Sequence, residues 1–317
     1  MQDDAPLLLA DIGGTNARFA LLPAGAGVRP EPAARFALDG FAGIAEAIAG
    51  WLEARRGARR PRAAVLAVAG PVADNRATLT NRGWTVDGAA LAGALGLEAA
   101  WVVNDFEALA WSLPHLSGAD LFPLGGGGAP GEPGAPMAVL GPGTGLGVAC
   151  LLPADRGVLA TEGGHAGLAA RDAREAEVIE ALRPRFGGHV SAERALSGQG
   201  IENLHAALGG DPARRAAEIA RDGVAGTDAR CREAMEMFCA MLGGFAGDLA
   251  LLYGARGGVF VGGGICPRFP EFLAASAFRA RFEAKGRFRE WLAPVPARLI
   301  LHPDAAVLGL AALARRM

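Results

Sequence analysis

Lysine is almost missing from this chain. Lys285 stands alone against thirty arginines in 317 residues, and beside so much Ala, Gly and Pro this reads as a coding bias. The shortage still excludes a function class. A P-loop needs Gly-Lys followed by Ser or Thr, and the single lysine follows Ala284, so Walker-type nucleotide binding is out. Cysteine is scarce as well. Cys150, Cys231, Cys239 and Cys266 form no CxxC pair and no zinc spacing, so neither a zinc site nor a disulfide framework is expected. A surplus of one charge sign is lacking too. The formal net charge is -2, which gives no general attraction to nucleic acid or to an anionic membrane. No basic leader precedes the first apolar run, and no stretch reads as long enough to cross a bilayer. Together these absences imply a soluble chain in a reducing, cytoplasmic setting, long enough for two domains and 51% apolar.

What is present begins with LLLADIGGTNARFALL, Leu7 to Leu22. Two apolar strands around a small-residue turn read as a β-hairpin. Gly13 and Gly14 can take positive φ and turn successive N–H groups to one side, a cradle that suits a phosphate. Asp11 ends the first strand, where a carboxylate can hold a hydrated Mg²⁺. Strands follow at Ala34 to Leu38, Ala63 to Ala69 and Trp101 to Val103. Helices are expected around Phe41 to Leu52, after the N-cap Asp87, and from Phe106 to Leu113. This order makes a mixed sheet covered by helices. The run GGGGAPGEPGAP, Gly125 to Pro136, reads as a flexible loop and marks a composition break.

The second part opens on the same plan. Met137 to Leu140 and Val148 to Leu152 flank a glycine turn, Gly141 to Gly147, so duplicated halves are expected, testable by their strand orders. The middle is helical, with Ser191 opening an imperfect capping box. Its longest helix, Asp228 to Tyr253, has Met235, Phe238, Leu242, Phe245, Leu249 and Leu252 along one face. A strand, Gly257 to Val261, leads to a third glycine turn, Gly262 to Gly264. The last strand is Arg298 to Leu301. In the closing helix, Ala305 to Ala314, Gly309 costs about 1 kcal/mol relative to Ala, which points to a close helix crossing.

Three glycine turns at strand ends match the parts of a nucleoside triphosphate. Asp11 to Thr15 and Gly141 to Gly147 are assigned to phosphates and Gly262 to Gly264 to the nucleoside. The dinucleotide fingerprint fails by spacing, since GxGxxG counted from Gly141 or Gly143 ends on Leu146 or Val148. Asn104 and Asp105 close a strand where a helix begins. There a carboxylate can take a proton from a substrate hydroxyl, while the alternative reading is an N-cap. Glu162 and His165 sit in a further compact polar turn, and Glu193 in SAER reads by default as a solvated first-turn glutamate. Together the five side chains suit a small polyol, which needs paired donors and acceptors.

The segments DIGGTNARF, NDFEALA, GPGTGLGVA, EGGHAG, HVSAERALSG and GGVFVGGGICPRF, in this order, resemble the bacterial ATP-dependent glucokinase family, within the sugar kinase/actin/heat-shock ATPase superfamily. The resemblance runs from Leu7 to Leu313. It implies an α/β, two-domain actin-like ATPase (ribonuclease H-like) fold, each domain a mixed sheet flanked by helices, with the active site in the interdomain cleft. Residues 1–115 plus 303–317 would form the small domain and 116–302 the large one. It implies that Asp105 is the catalytic base. Asn104, Asp105, Glu162, His165 and Glu193 would hold D-glucose. ATP would lie against Ala10, Asp11, Ile12, Gly13, Gly14, Thr15, Gly143, Thr144, Gly262, Gly263 and Gly264, with Mg²⁺ at Asp11. One departure is Pro142, which removes an N–H from its turn. A homodimer would fit the family and the long apolar helix. The alternatives are a kinase for another hexose, such as mannose or glucosamine, or a nucleotide-gated sugar-binding sensor. A repressor of that last kind would need a helix-turn-helix module and a basic face, and neither is expected here.

Overall fold

The computed structural model describes residues 4–317 except 15, 56, 58, 80–81, 126–129 and 154–155. Thr15 and part of the Gly125 to Pro136 loop therefore lie outside the described residues. The chain divides into two compact units, Met1–Leu116 with His302–Met317, and Ser117–Leu301.

The first unit starts with β1 (Leu7–Ile12) and β2 (Asn16–Leu22), paired antiparallel from Leu7↔Leu22 to Ile12↔Ala17. β3 (Ala34–Ala37) and α1 (Ile44–Ala54) follow. β4 (Ala63–Val68) is buried along its whole length, as a strand covered on both faces must be. Next come β5 (Val72–Ala73), β6 (Arg76–Leu79) and β7 (Trp84–Asp87), a small separate sheet that the sequence reading missed. Its turn holds Asp74 at φ 50° and Asn75 at φ 60°, the paired positive values of a type I′ hairpin. α2 (Gly88–Leu95) is capped by Asp87, whose side chain accepts from the Ala90 N–H. β8 (Ala99–Asn104) runs directly into α3 (Asp105–Ser112). The main sheet has the order β3-β2-β1-β4-β8.

The second unit contains β9 (Leu121–Pro123), β10 (Met137–Pro142), β11 (Leu146–Leu151) and β12 (Val158–Thr161). Four helices follow: α4 (Ala173–Leu182), α5 (Gly198–Ala207), α6 (Ala216–Ala225) and α7 (Ala229–Tyr253). Then come β13 (Gly258–Val261), the short helices α8 (Pro270–Ala275), α9 (Phe278–Glu283) and α10 (Arg289–Leu292), and β14 (Ala297–Ile300). Its sheet order is β12-β11-β10-β13-β14-β9. Setting aside β9, this repeats the first sheet strand for strand. Each sheet has two antiparallel pairs beside two parallel ones in the same places. The expected duplication passes its own test. The final helix, α11 (Ala305–Ala314), returns to the first unit and crosses α3, where a Cβ on Gly309 would lie 1.7 Å from the Ala108 carbonyl oxygen.

Several expectations need correction. α7 is long and apolar enough to span a bilayer, with a mean hydropathy of 1.5, but 72% of that window is buried within the protein. It is a core helix. Met235, Phe238, Leu242, Phe245 and Leu249 are buried as expected, whereas Leu252 is 76% exposed. Its apolar length therefore gives no support to a dimer. Gly243 and Gly247 let α9 come close: added Cβ atoms would lie 2.1 Å from the Phe278 carbonyl and 2.3 Å from that of Phe282. The end of the glycine-rich loop is packed, with the Glu132 N–H on the Arg256 carbonyl at 3.0 Å and the Gly257 N–H on that of Pro136 at 3.0 Å. Ser191 opens only a short 3₁₀ turn, Ala192–Arg194, without a side-chain cap. All four cysteines are free and buried. Burial pushes the Cys150 thiol up to about 11 and the Cys239 thiol to about 12, so neither is poised as a nucleophile.

Candidate active site

In the first unit, the β1–β2 turn closes on itself. The Gly13 N–H bonds the Asn16 carbonyl at 3.0 Å, and a Cβ on Gly13 would lie 3.2 Å from that oxygen. Gly13 does not adopt the left-handed region expected of it. Its missing side chain serves close approach, and its N–H closes the hairpin instead of facing a phosphate. Asp11 stands opposite Arg18 in the β1–β2 register. The Arg18 guanidinium donates to Asp11 Oδ2 at 2.8 Å and also reaches Asp304 at 3.3 Å. Burial raises the Asp11 carboxyl above its usual range, and Arg18 opposes the rise. Arg18 takes one carboxylate oxygen of the pair. A hydrated Mg²⁺ needs only one or two carboxylate oxygens beside substrate phosphates, so the donor set at Asp11 is compatible with it.

Asn104 is the N-cap of α3. Its Oδ1 accepts from the Phe106 N–H at 2.8 Å and the Glu107 N–H at 3.2 Å, while Nδ2 donates to the Gly70 carbonyl at 3.0 Å. The cap alternative is thus the one realised for Asn104. Asp105 is the first helical residue and stays half-buried, with Oδ1 3.0 Å from the Phe106 N–H. Burial raises the Glu107 carboxyl, against the Asn104 backbone N–H that it faces. Asn75, which the sequence reading passed over, ties the small sheet to β8. It donates to the Ala100 carbonyl at 2.9 Å and accepts from the Val102 N–H at 2.7 Å. The strand that delivers Asn104 and Asp105 is held from the side by this one amide.

In the second unit the glycine turn is shorter than expected, because β10 and β11 reach Pro142 and Leu146. The Gly143 N–H bonds the Gly145 carbonyl at 2.8 Å. The Leu146 N–H donates to Glu193 Oε2 at 3.0 Å. The Gly198 N–H at the start of α5 donates to the Gly143 carbonyl at 2.9 Å. The N–H groups of Thr144 and Gly145 have no acceptor among the described residues and remain for an anion. Pro142 sits in the β10–β11 ladder, so its missing N–H falls outside the three-residue turn. Gly263, at φ 80°, packs on it: a Cβ there would lie 2.3 Å from the Pro142 carbonyl oxygen. The second and third glycine turns of the sequence are thus one packed unit. Glu193 has a structural task in addition to any sugar contact, since a side chain on Gly145 would collide with it.

Glu162 and His165 flank the turn Gly163–His165, with His165 Nε2 3.9 Å from Glu162 Oε2 and both side chains exposed. Gly164 fixes this turn against β11, because a Cβ would lie 2.0 Å from the Leu146 carbonyl oxygen. His189 Nε2 lies 2.9 Å from the His165 carbonyl oxygen. The EGGH turn, Glu193 and the GPGTG turn therefore share Leu146 as a common neighbour.

Beside Gly143, Thr144 and Gly264 lies a cavity of about 790 Å³ contained in the second unit. Its walls are Ile201 on α5, Ala216, Ala220 and Val224 on α6, and Ile265 and Phe269 after the third glycine turn. A volume of this order suits a whole cofactor-sized ligand. The sequence reading named the turns and missed the walls. A signal was available. α6 carries Ile219 and Gly223 for its buried side and Ala216, Ala220 and Val224 on a second apolar stripe four residues apart, more than one core face needs.

Comparison with known proteins fits this arrangement. The family model described as Glucokinase matches residues 8–317. The chain belongs to the glucokinase family. The glucokinase of Paramagnetospirillum magneticum is 47% identical over 97% of each chain. The crystal structure of a glucokinase from an Antarctic psychrotroph is 36% identical, covers 98% of this chain and 99% of its own, and superimposes with a TM-score of 0.88. A ROK family glucokinase from Streptomyces griseus, solved in complex with glucose and AMPPNP, shares the fold at 21% identity and a TM-score of 0.64, over 99% of this chain and 100% of its own. The fold of this glucokinase family member is thus the two-domain actin-like ATPase fold.

Proposed function

We propose that the chain is a soluble cytoplasmic glucokinase that transfers the γ-phosphoryl of MgATP to the C6 hydroxyl of D-glucose, giving glucose 6-phosphate and ADP. The observation that carries this reading is the phosphate turn built into the wall of a nucleoside-sized cavity, with the Thr144 and Gly145 N–H groups open, in a chain of the glucokinase family. The nucleoside lies among Ile201, Ala220, Val224, Ile265 and Phe269, and the phosphates reach Gly143 and Thr144. Glucose is held by Glu162, His165 and the second carboxylate oxygen of Glu193, together with the remaining Asn104 N–H and Asp105.

Asp105 accepts the C6 hydroxyl proton as that oxygen attacks the γ-phosphorus. The bond from the γ-phosphorus to the bridging oxygen breaks, and ADP leaves with the electron pair. Phosphoryl transfer depends mainly on position and charge neutralisation. Mg²⁺, when bound with ATP, supplies part of that neutralisation, and Asp11 is the residue to hold it. The rigid cap made by Asn104 fixes the backbone from which Asp105 projects. A positioned general base contributes about 10²–10⁴ in rate. Asp105→Asn should therefore lose about 10²–10⁴-fold in kcat and still bind glucose in a fluorescence titration. A variant within about tenfold of wild type would contradict the role.

A homodimer is part of the same proposal. Light scattering in solution tests it, and a mass near 32.3 kDa would reject it.

A further inference from the structure

We propose that no side chain of the donor site selects adenine, so that guanosine and inosine triphosphates replace ATP as phosphoryl donors. The inference rests on the functional reading above and concerns the same cavity. Among the described residues, its wall carries only three polar side chains, Thr144, Arg221 and Arg268. Thr144 belongs to the phosphate turn.

Selecting adenine requires an acceptor to meet its exocyclic amino group, or a group that blocks position 2, where guanine carries its own amino group. A guanidinium has five donors and no acceptor, so neither arginine can receive a hydrogen bond from adenine. A guanidinium on a purine edge pairs instead with O6 and N7 of guanine. Arg221 is in any case engaged with Asp222, at 2.6 and 3.1 Å. The first backbone donor of α6, the Ala216 N–H, is taken by Glu202 Oε1 at 3.1 Å. The rest of the wall is alanine, valine, isoleucine, phenylalanine and glycine. Such a surface discriminates between similar ligands by about 10–200-fold, whereas rejection by 10⁴ or more requires hydrogen bonds built for one partner. At about 790 Å³ the cavity has room for the extra amino group of guanine.

The test compares ATP, GTP and ITP as donors, with saturating glucose and Mg²⁺, by glucose 6-phosphate formation. In parallel, ADP, GDP and IDP displace a fluorescent ADP analogue from the same protein. The expected result is that kcat/KM and the displacement constants for the guanine and hypoxanthine nucleotides lie within about 200-fold of the adenine values. A penalty of about 10⁴-fold for GTP and GDP overturns the proposal, because it demands hydrogen bonds built for adenine, which no side chain on this wall supplies. If GDP displaces the analogue as ADP does but no triphosphate phosphorylates glucose, the inference about the base stands and the functional reading fails.

Discussion

At the scale of single residues, the one lysine is the most instructive. Arginine occupies every other cationic position, yet the Lys285 side chain is 4% exposed and donates to the Gly244 carbonyl at 2.6 Å and to Asp248 at 2.5 Å. Its stem crosses α7 where Gly247 has no side chain; a Cβ there would lie 2.8 Å from Lys285 Cε. Burial lowers its pKa, and Asp248 opposes the shift. A compact ammonium fits this gap. A planar fork with five donors does not, because among the described residues the ammonium has these two acceptors. Lys285→Arg should cost about 1–3 kcal/mol by overpacking, seen as a lower urea midpoint at unchanged slope. An unchanged midpoint would show that the gap has room. Asp228 gives a second residue-scale test. The Cys231 N–H, then Arg214, hold its carboxyl down at about 2. A folded-state value below the unfolded 3.8 means that the stabilisation is complete above pH 4 and is lost as pH falls toward 2. Asp228→Asn keeps a capping side chain and should flatten the loss of stability between pH 4 and 2. A wild-type acid limb in the variant would show that the cap does not titrate there.

At the scale of elements, legibility followed length. α7 and α11 could be read from periodicity, since each offers several turns of pattern. β5, β9, α8, α9 and α10 have two to six residues, too few to establish any period. The hairpin at Asp74 and Asn75 is hidden for another reason: its positive φ values fall on Asp and Asn, with no glycine to mark the turn. The site divides in the same way. Glu162 and His165 announced themselves as polar residues in a small-residue turn, Asn104 as a polar residue at a strand-to-helix junction, and Glu193 as an acidic residue in a first helical turn. The apolar walls of the cavity look in sequence like any core. Gly309 was legible because a glycine inside a helix needs a reason, and the crossing of α11 over Ala108 supplies one. That crossing backs the helix that carries Asp105. Gly309→Ala must push α3 away, for a cost of about 1–3 kcal/mol or more. Thermal unfolding should show the lost stability, and kcat should fall along with it. A variant of wild-type stability would mean that α11 can shift without cost.

At the scale of the whole molecule, the repeated strand order shows how one plan yields two roles. Between β3 and β4 the described residues of the first unit form one helix, α1, whereas between β12 and β13 the second inserts α4 to α7. The added helices bring α5 and α6 beside the GPGTG turn and create the cavity. The first unit, without that insertion, ends its fifth strand on the Asn104 cap and Asp105 instead. On the proposed reading, the nucleoside and the proton acceptor belong to different copies of the same sheet. Hydrogen exchange reads this division directly. ADP alone should slow exchange in α6 and around Gly262 to Phe269, and leave the amides of Phe106 and Glu107 unchanged. Glucose alone should slow exchange in the Glu162 to His165 turn and at the start of α3, because the proposed site draws on both. At 100 times its Kd a ligand adds about 2.7 kcal/mol to the folded state, enough to register in slowly exchanging amides. Protection by ADP spread evenly over both units would remove the assignment of the nucleotide to the second. Glucose that protected the turn but not α3 would separate Asp105 from the sugar and leave the reaction without its base.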